Sequence, residues 1–90
     1  MAFRLTWDAD AWDDYVYWQT MDKAVLKRIN KLLKDMMRDP FSGIGKPEPL
    51  VGNLSGFWSR RIDGKNRIVY AVSDDALIII ECRNHYGEKS

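Results

Sequence analysis

Glu48 stands between two prolines, in the string Lys46-Pro47-Glu48-Pro49. Proline fixes its own φ angle and restricts the residue before it, so the backbone that carries this carboxylate is stiff. A stiffly held carboxylate can serve as a general base that takes a proton from a substrate. A loop glutamate can equally be a solvated surface group, and the residue alone leaves both interpretations open.

Arg60, Arg61 and Arg67 fall on two neighbouring predicted strands. Adjacent side chains of a strand point to opposite faces, so Arg60 and Arg61 are expected to face opposite ways. A guanidinium beside a cleft suits phosphate because its planar fork contacts two oxygens at once. The alternative is a surface salt bridge, for example to Asp63 or Glu81.

His85 and Tyr86 follow the last predicted strand. The unperturbed pKa of histidine lies nearest to neutrality, so His85 can give or take a proton at cellular pH, unless it is a histidine without a role. Tyr86 can stack on a base or hydrogen-bond to a phosphate. Glutamate, arginine and histidine together could cleave RNA without a metal, since the reaction needs a base, a cation near phosphorus and an acid.

The composition narrows the class of protein. Ninety residues fit one small domain, and a single histidine excludes a His-rich metal site, although a magnesium site made of carboxylates stays open. No metal or other cofactor is predicted. The single cysteine, Cys82, cannot form an internal disulfide, and no segment resembles a signal peptide or is long enough to cross a bilayer. We therefore expect a cytoplasmic protein.

The net charge of +1 hides an acidic and a basic segment. Residues 8–22 contain five aspartates and no cation, whereas residues 23–38 contain six cations and one acid, Asp35. The charge distribution therefore says more about partners than the total does.

Hydropathy patterns predict the elements that position these residues. Alternation predicts a strand over Phe3–Trp7, and Asp8 is expected to cap the first helix through its carboxylate. Apolar residues at three- and four-residue spacing predict a second helix, capped by Asp22 and ended by Asp39-Pro40.

The second half of the chain is predicted to be a long loop followed by strands. Residues 41–56 contain four of the six glycines, and a long loop in a small domain is usually functional or disordered. The apolar period then becomes two and predicts three strands, with a tight turn at Asp63-Gly64: Phe57–Ile62, Arg67–Val72 and Leu77–Arg83. The order βααβββ indicates an α+β fold, with two helices packed on an antiparallel sheet.

Longer strings add a resemblance to a known family. They occur in this order: Trp12-Asp13-Asp14-Tyr15, Tyr17-Trp18, Gly45-Lys46-Pro47-Glu48-Pro49-Leu50, the string of residues 53–62 (NLSGFWSRRI), residues 67–72 (RIVYAV), and His85-Tyr86. From about Trp7 to Tyr86 the sequence resembles the YoeB toxins of YefM–YoeB toxin–antitoxin systems, in the RelE/ParE superfamily.

The resemblance implies a RelE-like toxin domain over residues 1–86, with a short tail at 87–90. It implies a ribosome-dependent, metal-free endonuclease that cuts messenger RNA in the A site and is blocked by a YefM-like antitoxin. The pair would bind operator DNA together. By position, Glu48 would be the general base, His85 the general acid, Arg67 the cation at the transition state and Tyr86 a nucleotide contact.

Two further contacts are added with the resemblance: Arg61 to phosphate and Lys46 to RNA. The lysines of the second helix would face ribosomal RNA, or else solvent. One departure is Val51-Gly52, where the family often has basic residues.

Two other hypotheses compete with the nuclease. One is a non-catalytic ribosome-, RNA- or operator-binding module. The other is a protein that binds another protein through exposed hydrophobic residues around Trp12, Tyr17 and Trp18, a surface through which a homodimer would also form.

Overall fold

Two helices and five strands make up the computed structural model, which describes residues 3–84. The elements are β1 Arg4–Trp7, α1 Ala9–Met21, α2 Lys23–Arg38, β2 Glu48–Pro49, β3 Trp58–Arg61, β4 Arg67–Val72 and β5 Ala76–Glu81, with a short 3-10 turn at Gly52–Leu54. No helix in this part of the chain is long and apolar enough to cross a membrane.

The strands form one sheet in the order β1-β5-β4-β3-β2. The predicted α+β class and the order of the main elements are confirmed. The predicted antiparallel meander is confirmed for β3, β4 and β5, and β1 makes the sheet mixed by pairing parallel with β5 from Arg4↔Ala76 to Trp7↔Ile79. Alternation in a sequence indicates a strand but carries no information on the direction of its neighbour. Proline-flanked β2 also adds a fifth, two-residue edge strand.

Two aspartates were predicted to cap helices, and only one does so. Asp22 accepts hydrogen bonds from the N–H groups of Ala24 and Val25 at 3.1 and 3.2 Å. The prediction for Asp8 is wrong, since its side chain makes no capping bond. The helix still begins after Asp8, whose own N–H donates to the Ile79 carbonyl at 2.9 Å and so continues the pairing of β1 with β5.

Helix α1 holds the end of β5. The carboxylate of Asp14 accepts from the backbone N–H of Cys82 at 3.0 Å, and the indole of Trp18 donates to the Cys82 carbonyl at 2.8 Å. All three residues are buried. Both backbone groups of Cys82 are therefore satisfied by side chains of α1, which fixes the path of the chain just before Asn84.

Arg60 joins β3 to the segment that follows α2. Its side chain is fully buried, and all five of its N–H donors find an oxygen. The acceptors are the Asp35 carboxylate at 2.7 Å, the Tyr70 hydroxyl at 3.2 Å, and the carbonyls of Asp39, Ser42 and Ile44 at 2.7, 3.0 and 3.0 Å. Arg60 is therefore neither a phosphate ligand nor a surface ion pair, the two roles considered from the sequence.

These contacts change the acidity of their partners. The Arg60 guanidinium, helped by the N–H of Ile44, lowers the pKa of Asp35 to about 2 from an ordinary 3.8. Burial raises the pKa of Tyr70, whose hydroxyl accepts from Arg60 and donates to the Pro40 carbonyl at 2.7 Å. The charged form of Asp35 is the one that this network stabilises.

Arg60→Met is expected to lower the free energy of unfolding by about 3–5 kcal/mol, because it removes the buried partner of the Asp35 carboxylate and leaves several carbonyls without their donor. Urea unfolding measures this loss. Arg61→Met is the matched control on the same strand, and we expect it to change stability by less than about 1 kcal/mol because Arg61 is exposed. Equal small changes in both variants would contradict the role given to Arg60.

Acid should remove the contribution of Asp35. A carboxyl group with a lowered pKa stabilises the fold above its unfolded pKa near 4, and that stability is lost as the pH falls toward about 2. The loss is about 2 kcal/mol. The stability difference between the wild type and Asp35→Asn should narrow by that amount between pH 6 and pH 2. If the stability difference between the two proteins stayed constant from pH 6 to pH 2, the contribution assigned to ionised Asp35 would be excluded.

Candidate functional site

The candidate site lies on the sheet face that the helices leave open. Ile62, Ile68 and Tyr70 belong to the core that the helices cover. Strand alternation sends Arg61 and Arg67 to the opposite face. The predicted separation of Arg60 from Arg61 is confirmed: Arg60 is buried and Arg61 is exposed.

Arg61 and Arg67 lie directly opposite each other on β3 and β4. The N–H of Arg61 donates to the Gly45 carbonyl at 2.6 Å, and the N–H of Arg67 donates to the Asn84 carbonyl at 3.0 Å. Both N–H groups thus point away from the neighbouring strand, as in a non-hydrogen-bonded pair, whose Cα atoms are only about 4.5 Å apart. Two like charges are therefore held side by side, which costs free energy unless an anion lies between them.

Neither arginine has the salt bridge that was the alternative from the sequence. Within residues 3–84, no carboxylate pairs with Arg61 or Arg67, and Arg67 contacts only the Asp63 backbone carbonyl, at 3.3 Å. The carboxylate of Asp63 is engaged by the N–H groups of Lys65 and Asn66 in the turn. Burial alone would raise the pKa of Asp63, but these hydrogen bonds outweigh it and the pKa is lowered. Both guanidiniums stay available to an external anion.

Glu48 reaches the same face from the edge strand β2. It lies directly opposite Ser59, two residues before Arg61 on β3, so the side chains of Glu48, Ser59 and Arg61 share one face. Glu48 is exposed. The structure thus brings the predicted base and both predicted phosphate ligands onto one face.

Lys46 follows the glycine that contacts β3. A Cβ on Gly45 would lie 2.6 Å from the Leu32 side chain and 3.1 Å from the Arg61 carbonyl oxygen, so only glycine lets the loop approach this closely. Lys46 is exposed and has a φ of 53°, a left-handed conformation that costs a residue with a side chain about 1–2 kcal/mol. Strained backbone of this kind concentrates at functional sites.

Only part of the C-terminal segment that the prediction concerns lies within the described residues. Asn84 is bonded on both sides of its backbone, since its N–H donates to the Asn66 side chain at 2.6 Å and its carbonyl accepts from Arg67. His85 and Tyr86 lie outside the described residues. The residue that precedes His85 is therefore attached to the strand that carries Arg67.

Ser59 is a site residue that sequence reasoning missed. It is 1% exposed, and its Oγ is the one buried side-chain oxygen or nitrogen in residues 3–84 that has no hydrogen-bond partner. The only signal in the sequence was its alternation with Arg61, which puts the two on one face.

A stripe of cations lies along the exposed side of α2. Its members are exposed and recur at helical spacing: Lys23, Lys27, Lys31, Lys34 and Arg38. The last three, with Asp35 and Ile44, line a surface pocket of about 390 Å³. Because Ile44 precedes Gly45, the pocket adjoins the loop that leads to Lys46. No group of three His, Cys, Asp or Glu side chains in the described part of the chain could hold a metal ion.

The fold matches solved structures of bacterial YoeB toxins. A YoeB dimer from Staphylococcus aureus superposes with a TM-score of 0.88 at 44% identity, over 96% of this chain and all of that one. A YoeB–YefM complex from the same species gives 0.86 at 42% identity, with the same coverage.

The chain belongs to the family of YoeB-like toxins of bacterial type II toxin–antitoxin systems. The match to this family covers residues 7–86. Toxin YoeB of Escherichia coli strain K12 is 60% identical over 83 residues, which are 92% of this chain and 99% of that protein. The resemblance given by the sequence strings is confirmed.

Arg61→Met should stabilise the free protein, because it removes one of two opposed like charges, a contribution of about 0.2–1 kcal/mol. The gain should shrink when NaCl is raised from 10 mM to about 1 M, where the screening length falls to about 3 Å. Urea unfolding at both concentrations is the measurement, with Arg4→Met as control, since Arg4 has an exposed partner, Asp75, at 2.9 Å. A loss of stability in Arg61→Met that does not depend on salt would rule out the repulsion.

Proposed function

We propose that this protein is an endoribonuclease that cuts messenger RNA in the ribosomal A site by general acid–base catalysis, with no metal. One observation carries the proposal. An exposed carboxylate and two unpaired guanidiniums, from Glu48, Arg61 and Arg67, share one open face of the sheet. A base and cations are two of the three kinds of group that attack of a 2′-hydroxyl on phosphorus requires, and the third is an acid.

In the proposed reaction, Glu48 takes the proton of the 2′-hydroxyl, and the 2′-oxygen forms a bond to phosphorus. The bond from phosphorus to the 5′-oxygen breaks, and His85 gives its proton to that oxygen. The products are a 2′,3′-cyclic phosphate and a 5′-hydroxyl end. Tyr86 holds the nucleotide, and Lys46 contacts the RNA backbone.

The paired arginines explain how the transition state would be favoured. Charge on the phosphoryl oxygens increases as the 2′-oxygen attacks, and two fixed cations stabilise that charge more than they stabilise the ground state. The repulsion between Arg61 and Arg67 in the free protein is relieved when an anion binds between them. The cost of placing the two residues opposite each other is met during folding, when the register of β3 and β4 is set.

The ribosome is the proposed setting because of the cationic stripe on α2. Its five exposed cations form a row that suits an RNA backbone, where each phosphate contact releases counterions. The same stripe favours a second candidate function, a ribosome- or RNA-binding protein without catalysis. Both functions put the protein in the cytoplasm.

We also propose a YefM-like antitoxin as partner, since a related protein was solved as a YoeB–YefM complex. An acidic segment lying over Arg61 and Arg67 would neutralise the pair and block the site. With the antitoxin the toxin would bind operator DNA. A homodimer is proposed on the same basis, because another relative was solved as a dimer.

Primer extension on a defined message, translated by purified ribosomes, tests the proposed reaction. Wild-type protein should create new ends at the A-site codon. Glu48→Gln should slow cleavage about 10²–10⁴-fold as expected for loss of a general base, and His85→Ala similarly for loss of the acid. Arg67→Met should cost about 10²–10³-fold through lost charge stabilisation.

Arg4→Met is the matched control for Arg67, because Arg4 is an exposed arginine on β1, at the other edge of the sheet. It should cleave like the wild type. Cleavage that persists in Glu48→Gln, Arg67→Met and His85→Ala would contradict the mechanism. Ribosome binding without any cleavage by the wild type would favour the non-catalytic candidate.

A further inference from the structure

Ser59 carries a buried hydroxyl that no described residue uses. Its exposed fraction is 1%, and its Oγ finds no hydrogen-bond partner within residues 3–84. Burial of an unpaired polar group destabilises a protein, and native structures keep few such groups. Alanine would fill the same space without that cost, so the folded domain on its own gives no reason for a serine here.

The hydroxyl lies next to the proposed general base. Ser59 is directly opposite Glu48 on β2, and Cβ atoms in such a pair are about 4.5–5.5 Å apart. On its other side Ser59 faces Val69, an apolar residue that is 2% exposed and offers no acceptor from its side chain. Among the side chains opposite Ser59, the Glu48 carboxylate is the acceptor within reach.

The carboxylate in turn has no hydrogen bond to any described residue, and it extends into solvent. A mobile, hydrated carboxylate is a poorly placed base, because water competes for both of its oxygens. RNA bound over Arg61 and Arg67 would exclude that water and leave the serine hydroxyl as a fixed donor. A donor inside a site from which water is excluded is worth more than the same donor in water.

We propose that Ser59 is a positioning residue for Glu48: its hydroxyl donates to one carboxylate oxygen in the RNA-bound state and turns the other toward the 2′-hydroxyl. The inference rests on the proposed ribonuclease function and on the role of Glu48 in it. It also explains why an unpaired donor is kept in the free protein, since the partner arrives only with the substrate.

Removing the hydroxyl should stabilise the folded protein and slow the cleavage of RNA. Ser59→Ala should raise the melting temperature by roughly 4–8 °C, because a buried unpaired group is lost. In the ribosome assay the same variant should cleave about tenfold more slowly, the effect of one hydrogen bond on a rate. The acidic limb of its pH–rate profile should move to higher pH, because a donor to the carboxylate favours the charged form.

Three further variants separate positioning from general structural effects. Ser59→Thr keeps the hydroxyl and should recover most of the rate. Ser55→Ala removes an exposed hydroxyl from the loop between β2 and β3, and should leave the rate and profile unchanged. Glu48→Gln/Ser59→Ala should be no slower than Glu48→Gln, since Ser59 acts only through Glu48.

The outcomes separate this inference from the function on which it rests. Wild-type rate and pH profile in Ser59→Ala, with Glu48→Gln still impaired, would overturn the role of Ser59 alone. The role of Ser59 would also be overturned if the rate losses of the two single variants multiplied in Glu48→Gln/Ser59→Ala. A lower melting temperature in Ser59→Ala would overturn it as well. Absence of cleavage by the wild type, or full activity in Glu48→Gln, would overturn the ribonuclease proposal and this inference with it.

Discussion

An ion pair between Arg60 and the Asp35 carboxylate connects β3 to α2. The two groups are 2.7 Å apart, and the arginine side chain is fully buried. Three of the other four donors of Arg60 bind carbonyls of the segment after α2, which has no regular structure of its own, and the fourth binds the Tyr70 hydroxyl. A buried guanidinium that satisfies five oxygens anchors this largely exposed segment to the core. Gly45 is thereby brought against β3, and the chain from Lys46 to Glu48 starts from a fixed point.

A second set of buried contacts does the same for the other side of the site. Asp14 and Trp18 hold both backbone groups of Cys82, and Asn84 follows two residues later with bonds to Asn66 and Arg67. Two irregular segments, one from each side, are thus attached to the hairpin of β3 and β4. This is how a small domain can hold loop residues firmly: rigid strands carry the arginines, and side chains from the helices fix the loops.

The open face concentrates features that do not favour folding. Arg61 and Arg67 oppose like charges, Lys46 adopts a left-handed backbone, and Ser59 buries a hydroxyl that has no partner among residues 3–84. Each of these features costs stability in the free protein. Proteins generally tolerate such costs where binding or catalysis requires them, and compensate for them elsewhere in the fold.

Local patterns in the sequence determined the two helices, their junction at Asp22 and the main strands, because hydropathy period and capping act over a few residues. Strand alternation likewise predicted that the side chains of Arg60 and Arg61 point to opposite faces of the sheet. The sequence did not determine which of them entered the core, or that β1 runs parallel to β5, because burial and pairing direction depend on contacts between distant segments. It also assigned Asp8 a capping bond that is not made. Only the tertiary structure decided that Glu48, Ser59, Arg61 and Arg67 share one face, since their proximity depends on strand register, which is set by the packing of the whole sheet.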